Sequence, residues 1–307
     1  MKTFHSRRKD GAVTRTRSDK IFDVVNAAVM VLVVLLVAYP IYYCLVLSLN
    51  DGQDTLRGGV TIWPRAFTLD NYVEVFKEGT IVRAFGVSVA RTLVGTACSL
   101  AFNALLSYGL IKKDLMGRRI YMNLCIITMF FSGGTIPLYI MIYKMGLINN
   151  FLVYILPGLS GFSTILMYMA FFRELPASLV ESAKIDGANE YQIFLRVVIP
   201  LSAPLLATMA LFAGVGQWNS WYDGYIYMSN DDLMTMSTYM VKLLNAAAAD
   251  DLLRRTGRAG ISGDIGGVTS DSLKLATMFV SMLPIACVYP FLQKYFVKGI
   301  MIGAVKG

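Results

Sequence analysis

Apolar residues run through this chain in stretches longer than a soluble helix or strand needs. Six stretches of 19 residues or more contain no Asp, Glu, Lys or Arg: 24–50, 92–111, 120–143, 145–172, 197–222 and 275–293. A helix crosses the hydrocarbon core of a bilayer with about 20 apolar residues. The shortest stretch can borrow Leu273, with Lys274 and Lys294 reaching back to the interface. The pattern predicts an all-α, polytopic membrane protein with six transmembrane helices. The first stretch is too long for the apolar core of a signal peptide, and no small-residue cleavage site follows Tyr39-Pro40, so it reads as a retained span.

Two spans carry finer signals. In the second, Ser88, Thr92, Gly95, Ser99, Asn103 and Ser107 recur every three or four residues. They form one face of small and polar side chains, which lets membrane helices approach closely. The third contains Ser132-Gly133-Gly134-Thr135 and then Pro137. This predicts either a kinked helix or a break that lines a water-filled path.

Composition agrees with the pattern. Hydrophobic residues are 56% of the chain and charged residues 16%, against about 25% charged in a soluble domain. The net charge is +8, but it is not gathered on one aromatic-studded face, so nucleic acid is not indicated. Membrane lipid is the indicated surface. Cys44, Cys98, Cys125 and Cys287 lie in apolar runs without a CxxC pair, and His5 is the only histidine. Neither a metal site nor a disulfide framework is expected.

Lysine and arginine set orientation. With the N-terminus inside, segments 1–20, 112–119, 173–200 and 294–307 hold 17 Lys/Arg in 70 residues, and the outside segments 50–83, 144–150 and 223–272 hold 9 in 91. Both termini are then cytoplasmic. Residues 1–20 form a basic tail and 21–307 the transmembrane domain, with a cytoplasmic loop at 173–200 and an external loop at 223–272.

The cytoplasmic loop is the most informative polar interruption. Pro176 suits a helix start, and a helix over 177–185 would place Leu179 and Ala183 on one face. Asp186-Gly187 ends it, Asn189 and Gln192 read as a capping box, and Tyr191, Phe194, Leu195 and Val198 form an apolar stripe. Pro200 marks entry to the fifth span. The pattern fits either a folded helix–turn–helix or an ordinary amphipathic loop.

Glu181-Ser182-Ala183, Gly187, Val197, Ile199 and Pro200 stand at the spacing of the EAA motif. The chain thereby resembles the permeases of ABC importers, and Asp186-Gly187-Ala188 is the form found in the maltose-type, carbohydrate-uptake branch. Phe131 to Pro137, Gly146-Leu147-Ile148-Asn149-Asn150, Trp218-Asn219-Ser220-Trp221 and the ending 289–299 resemble the subgroup of lipoprotein-associated and complex-polysaccharide uptake systems. The resemblance implies a type I importer permease fold in a bacterial plasma membrane. It implies a second homologous permease, two cytoplasmic ATPases that bind ATP and magnesium, and an external solute-binding protein.

It further implies that the EAA loop docks on an ATPase, with Glu181 as charged anchor, Ser182 and Ala183 beside it, and Asp186-Gly187 as the turn. Glu190, outside the motif, is expected to matter less. No Gly-x-x-x-x-Gly-Lys-Ser/Thr loop is present, and the Gly-rich run 260–267 lacks its lysine, so no ATPase site and no cofactor is expected in this chain. Trp218, Asn219, Trp221 and Tyr222, with Gly133 and Gly134, are candidate residues of a sugar path, although Trp and Tyr also serve as interface anchors. The rival readings are an ABC permease for a non-sugar solute and an ion-coupled carrier. The latter commonly needs ionisable groups at depth, and Arg91 lies only at a span edge.

Topology is tested by cysteine-accessibility labelling. Cysteines introduced at Ser6 and Lys306 are expected to react from the cytoplasm and one at Gly260 from outside. External labelling at Ser6 would overturn the orientation.

Overall fold

The computed structural model describes residues 17–77, 79–255 and 268–304. The basic tail up to Thr16 and the Gly-rich run 260–267 lie outside the described residues. Helix α1 (Arg17–Ser48) is followed by α2 (Gly52–Leu56) and α3 (Asp70–Lys77), and then by the long α4 (Thr80–Ile111). α5 (Arg118–Phe130), α6 (Thr135–Lys144) and α7 (Phe162–Glu174) follow. The polar loop gives α8 (Ala177–Ile185), α9 (Glu190–Ile193), a π-helical turn (Phe194–Val198) and α10 (Ile199–Leu201). The chain continues with α11 (Ala203–Asn219), α12 (Tyr222–Tyr227), α13 (Met236–Arg255) and α14 (Ser270–Ala304). α4 packs against α7 and α11, α1 runs along α14, and α14 also touches α11 and α13.

The six charge-free stretches do not become six unbroken helices. Among the described residues α1, α4 and α14 over 270–288 are long and apolar enough to cross a membrane. The segments Glu190–Leu201 and Ala203–Asn219 make a fourth candidate if their 79° bend is counted within one span. Stretch 120–143 is divided at Ser132–Gly134, where Gly134 takes φ +79°. The helix is therefore broken there and not merely kinked. Stretch 145–172 holds a single 3₁₀ turn (Phe151–Tyr154) before α7 begins at Phe162. Pro157, which has no N–H, and Gly158 and Gly161 keep 155–161 out of a helix. Asn149 braces this region. Its backbone is left-handed at φ +56°, and its Oδ1 accepts the backbone N–H groups of Ser229 (2.6 Å) and Asn230 (3.1 Å).

The expected polar face of α4 lies inward. Ser88 Oγ accepts from the N–H of Met236 at 2.8 Å. Gly95 lets Gln217 of α11 lie against the helix, since a Cβ there would stand 2.8 Å from the Gln217 amide. Asn103 donates to Leu159 O at 3.1 Å and accepts from Ser160 Oγ at 2.5 Å, and Ser107 donates to Ile165 O at 3.2 Å.

Arg91 departs from expectation. α4 starts at Thr80, well before the charge-free stretch, so Arg91 lies inside the helix and is buried. Its guanidinium donates to Gln217 Oε1 (2.8 Å), Ser220 O (3.0 Å) and both carboxylate oxygens of Asp223, and it covers the Tyr154 ring at 4.5 Å. An ion pair thus sits among the helices where the sequence showed none.

An interhelical hydrogen bond in a membrane averages about 0.6 kcal/mol, so the face owes its strength to several such bonds. Removing one partner of a buried ion pair costs about 3–5 kcal/mol. Arg91→Ala is therefore expected to destabilise the purified chain by about 3 kcal/mol, at the low end because Asp223 keeps some water contact. Asn103→Ala should cost about 1 kcal/mol. Unfolding in detergent measures both, and equal losses would mean that the ion pair does not hold α4 to α12.

Candidate functional site

The loop at 173–200 is a folded helix–turn–helix. Helix α8 occupies 177–185 as the sequence predicts, directly after Pro176. It ends in a Schellman-type turn: Ala188 N–H donates to Ala183 O (2.9 Å) and Gly187 N–H to Lys184 O (3.0 Å). Gly187 sits at φ +79°, a conformation in which a β-carbon is strained. The capping box is present, with Asn189 Oδ1 accepting from Gln192 N–H and Gln192 Oε1 accepting from Asn189 N–H, both at 2.9 Å.

The faces differ from expectation. Val180, Ala183 and Ala188 pack toward Tyr108, Phe172, Phe194 and Val198, while Leu179 is exposed. Val180 and Ala183 are three residues apart and share a face; Leu179 lies about 100° round the helix from Val180. Ala183, expected to face a partner, thus faces the chain's own core. Glu181, Ser182, Asp186 and Gly187 are exposed. Among the described residues Glu181 has no ion pair or hydrogen-bonding partner for its carboxylate. In the second helix Phe194 and Val198 are buried but Tyr191 and Leu195 are exposed. The π turn over 194–198 widens the helix, so the straight α-helical stripe does not apply there. The chain then bends at Ser202, beyond Pro200, before α11 begins.

Glu190 carries more than its place outside the motif suggested. Its Oε2 accepts from Tyr108 Oη of α4 (2.6 Å) and from Lys112 Nζ just past the end of α4 (2.7 Å), and its Oε1 pairs with Lys184 Nζ of α8 (3.0 Å). Hydrogen bonds from Lys112 and Tyr108, then Lys184, hold its carboxyl down at about 2. One carboxylate therefore ties both short helices to the end of α4.

The candidate path residues fall into two places. Thr135, just after the Gly133-Gly134 break, shares a hydrogen bond with Tyr222 Oη at 3.0 Å. Trp221 packs edge-on against Tyr222 and Tyr225 with ring centroids 5.8 and 6.0 Å apart, and Tyr139 of α6 stacks on Tyr227 at 5.8 Å. The break and the aromatic cluster therefore meet. Asn219 is exposed nearby. Trp218 leaves the group: it is buried against Phe85, and its indole N–H donates to Ser281 O of α14 at 3.2 Å. A cavity of about 560 Å3, lined by Ser220 and Asp223 on either side of Trp221-Tyr222 in the chain, runs from Arg91 and Gln217 to Ser99, Asn103 and Tyr168.

Membrane-length helices, a partly polar cavity and a folded polar loop with an exposed outer face fit a membrane transport subunit. The chain belongs to the family of binding-protein-dependent transport system inner membrane components, which matches residues 12–302. It is thus a multi-pass permease of an ABC importer, a transport component and not itself an enzyme. It is 37% identical over 292 residues to Protein LplC of Bacillus subtilis (strain 168), covering 95% of this chain and 97% of that one. It is 32% identical over 295 residues to the polygalacturonan/rhamnogalacturonan transport system permease protein YtcP of the same organism, covering 94% and 99%. A solved bacterial ABC transporter involved in the import of the acidic polysaccharide alginate is similar with a TM-score of 0.80 and 28% identity, covering 92% of this chain and 98% of that one.

Glu190→Ala is expected to lower transport-coupled ATP hydrolysis of the assembled importer several-fold at matched membrane levels, with Lys112→Ala reproducing part of the loss. Because the carboxyl is held low, its contribution is full above the ordinary carboxylate range and is lost only as pH falls through about 2. Glu190 should therefore add no pH dependence between about pH 5 and 8. Wild-type coupling in Glu190→Ala would show the clamp to be dispensable.

Proposed function

We propose that this chain forms half of the translocation path of an ATP-driven importer of oligosaccharides or polysaccharide fragments, delivered by an external binding protein. A second homologous permease supplies the other half and two cytoplasmic ATPases supply the hydrolysis. The observation that carries the reading is the outer face of the helix–turn–helix, where Glu181, Ser182, Asp186 and Gly187 are exposed beside Leu179, Ile185, Tyr191 and Leu195. A carboxylate with no partner among the described residues, set among exposed apolar side chains, suits a protein interface better than open water. In this reading the chain crosses the membrane six times with both termini cytoplasmic. Segments 118–144 and 145–174 cross as broken spans, 1–20 is a tail, 173–200 is the coupling loop and 223–272 is external.

ATPase closure would move the loop as a unit, because Glu190 fixes it to α4. α4 would carry that movement outward to Arg91, which grips the outer end of α11 and the start of α12. The aromatic cluster at Trp221 and Tyr222 would then open or close over the cavity, with Gly133-Gly134 as the adjoining break. Flat aromatic faces and the amide of Asn219 suit sugar rings and hydroxyls. The substrates of relatives support a carbohydrate: polygalacturonan and rhamnogalacturonan for YtcP and alginate for the solved transporter.

The test is uptake and ATPase assay of Glu181→Ala and Gly187→Val complexes. Gly187→Val forces a β-carbon into a left-handed turn at a cost of roughly 1–2 kcal/mol, so the loop misaligns while the spans stay intact. Both complexes are expected to insert normally and lose coupled hydrolysis. Wild-type uptake and ATPase docking in both would remove the coupling assignment. The purified chain alone is expected neither to bind nor to hydrolyse ATP.

A further inference from the structure

The segment between α1 and α3 does not extend away from the membrane; it folds back along α1. A compact set of hydrogen bonds enforces the turn. Asn50 Oδ1 accepts from Ala66 N–H (2.8 Å), Asp51 N–H donates to Ala66 O (2.8 Å) and Thr68 N–H donates to Leu49 O (2.9 Å). The buried Asn71 amide closes it by donating to Ser48 O and Asn50 O, each at 2.9 Å. Residues 66–71 are thus fixed beside the end of α1, and the intervening loop must hang from them.

It hangs toward the bilayer. Tyr42 Oη donates to Ile62 O at 2.6 Å. Tyr42 lies six residues before Ser48, the last residue of α1, which is about 9 Å along the helix axis. Ile62 and Trp63 therefore stand beside the membrane-crossing part of α1, below its end. Their side chains point outward: Trp63 is 77% exposed and Ile62 67%. The neighbouring surface of α1 is apolar and exposed over 21–42, with a mean hydropathy of 2.7 in its best window. What surrounds α1 at that level therefore surrounds Ile62 and Trp63 as well.

We infer that residues 58–67 form an interfacial anchor, with Ile62 and Trp63 seated at the boundary of headgroups and acyl chains in the leaflet where α1 emerges. The occupant is lipid. The tryptophan ring offers an apolar body with one N–H, the chemistry favoured at that boundary. Arg65, two residues on, is held upward on Asp54 (2.8 Å) and on Gly58 O (3.2 Å), so its charge is engaged by the turn and not by the ring below. The anchor braces the C-terminal end of α1, whose side chains over 17–42 are otherwise exposed. The inference needs only that α1 spans the bilayer. It stands whichever side the loop faces and whatever solute is carried.

The test uses the importer complex purified through a tag on this chain and reconstituted in bilayers of phosphatidylethanolamine and phosphatidylglycerol. Single spin labels are placed at Ile62→Cys, Trp63→Cys and, as the aqueous reference, Gln53→Cys on α2, with the four native cysteines replaced by serine and the signal of that background subtracted. Collision with dissolved oxygen, which concentrates in lipid, is compared with collision with a water-soluble nickel chelate. The expected result is an oxygen-to-nickel ratio several-fold higher at 62 and 63 than at 53. A ratio equal to that at 53 would place the loop in water, and low collision with both reagents would mean that a protein subunit covers it; either overturns the inference. A second measurement keeps every cysteine: fluorescence quenching by lipids brominated near the headgroup is compared between the native complex and Trp63→Ser. Loss of a quenched component in the variant is expected, and identical quenching overturns the anchor.

Discussion

The polar face of α4 is the constraint on which the rest of the structure hangs. In a bilayer an apolar side chain gains little by turning from lipid to protein, so burial of leucine and valine cannot by itself fix which helix faces which. Hydrogen bonds and close approach must do so. Along α4, Ser88, Arg91, Gly95, Asn103 and Ser107 meet partners on α13, α11, α7 and the loop before it. Arg91 dominates, because an unpaired charge at that depth is costlier than any neutral bond on the same face.

The same helix joins the two candidate sites. At its C-terminal end Tyr108 and Lys112 hold Glu190, and nearer its start Arg91 holds Gln217 and Asp223. Between those points the chain runs from the helix–turn–helix through the bend at Ser202 into α11. α4 and the α9–α11 arm are therefore fastened at both ends. A frame of that kind moves as one body more readily than it flexes. It gives a physical basis for carrying a displacement of the exposed loop to the aromatic cluster without any contact between them.

Glycine and proline shape the rest. Gly134 and Gly187 both hold left-handed backbone, one where a membrane stretch divides and one where two short helices turn. In the first case the break brings Thr135 to Tyr222; in the second the turn exposes Asp186 beside Glu181. Each is a local backbone requirement with a consequence for what meets at the protein's two ends.

Features set by near neighbours were legible in the sequence. The bounds of α8, the Asp186-Gly187 turn, the Asn189–Gln192 capping box, the break at Ser132–Gly134 and the small polar face of α4 all depend on residues within a few positions of one another. The EAA spacing, itself a local pattern, was enough to indicate the family. What depended on distant partners was not legible. Arg91 meets Asp223 only when α4 lies beside α12, Glu190 meets Tyr108 across more than eighty residues, and Trp218 turns to α14 although its sequence neighbour Tyr222 turns to α6. The inward turn of Ala183 and the exposure of Tyr191 and Leu195 likewise followed from the surface the loop packs on and from the π turn, neither of which a helical period contains. A one-dimensional pattern records which side chains want company; the packing of α4, α7 and α11 decides whose company they keep, because those contacts form between segments that only the folded chain brings together.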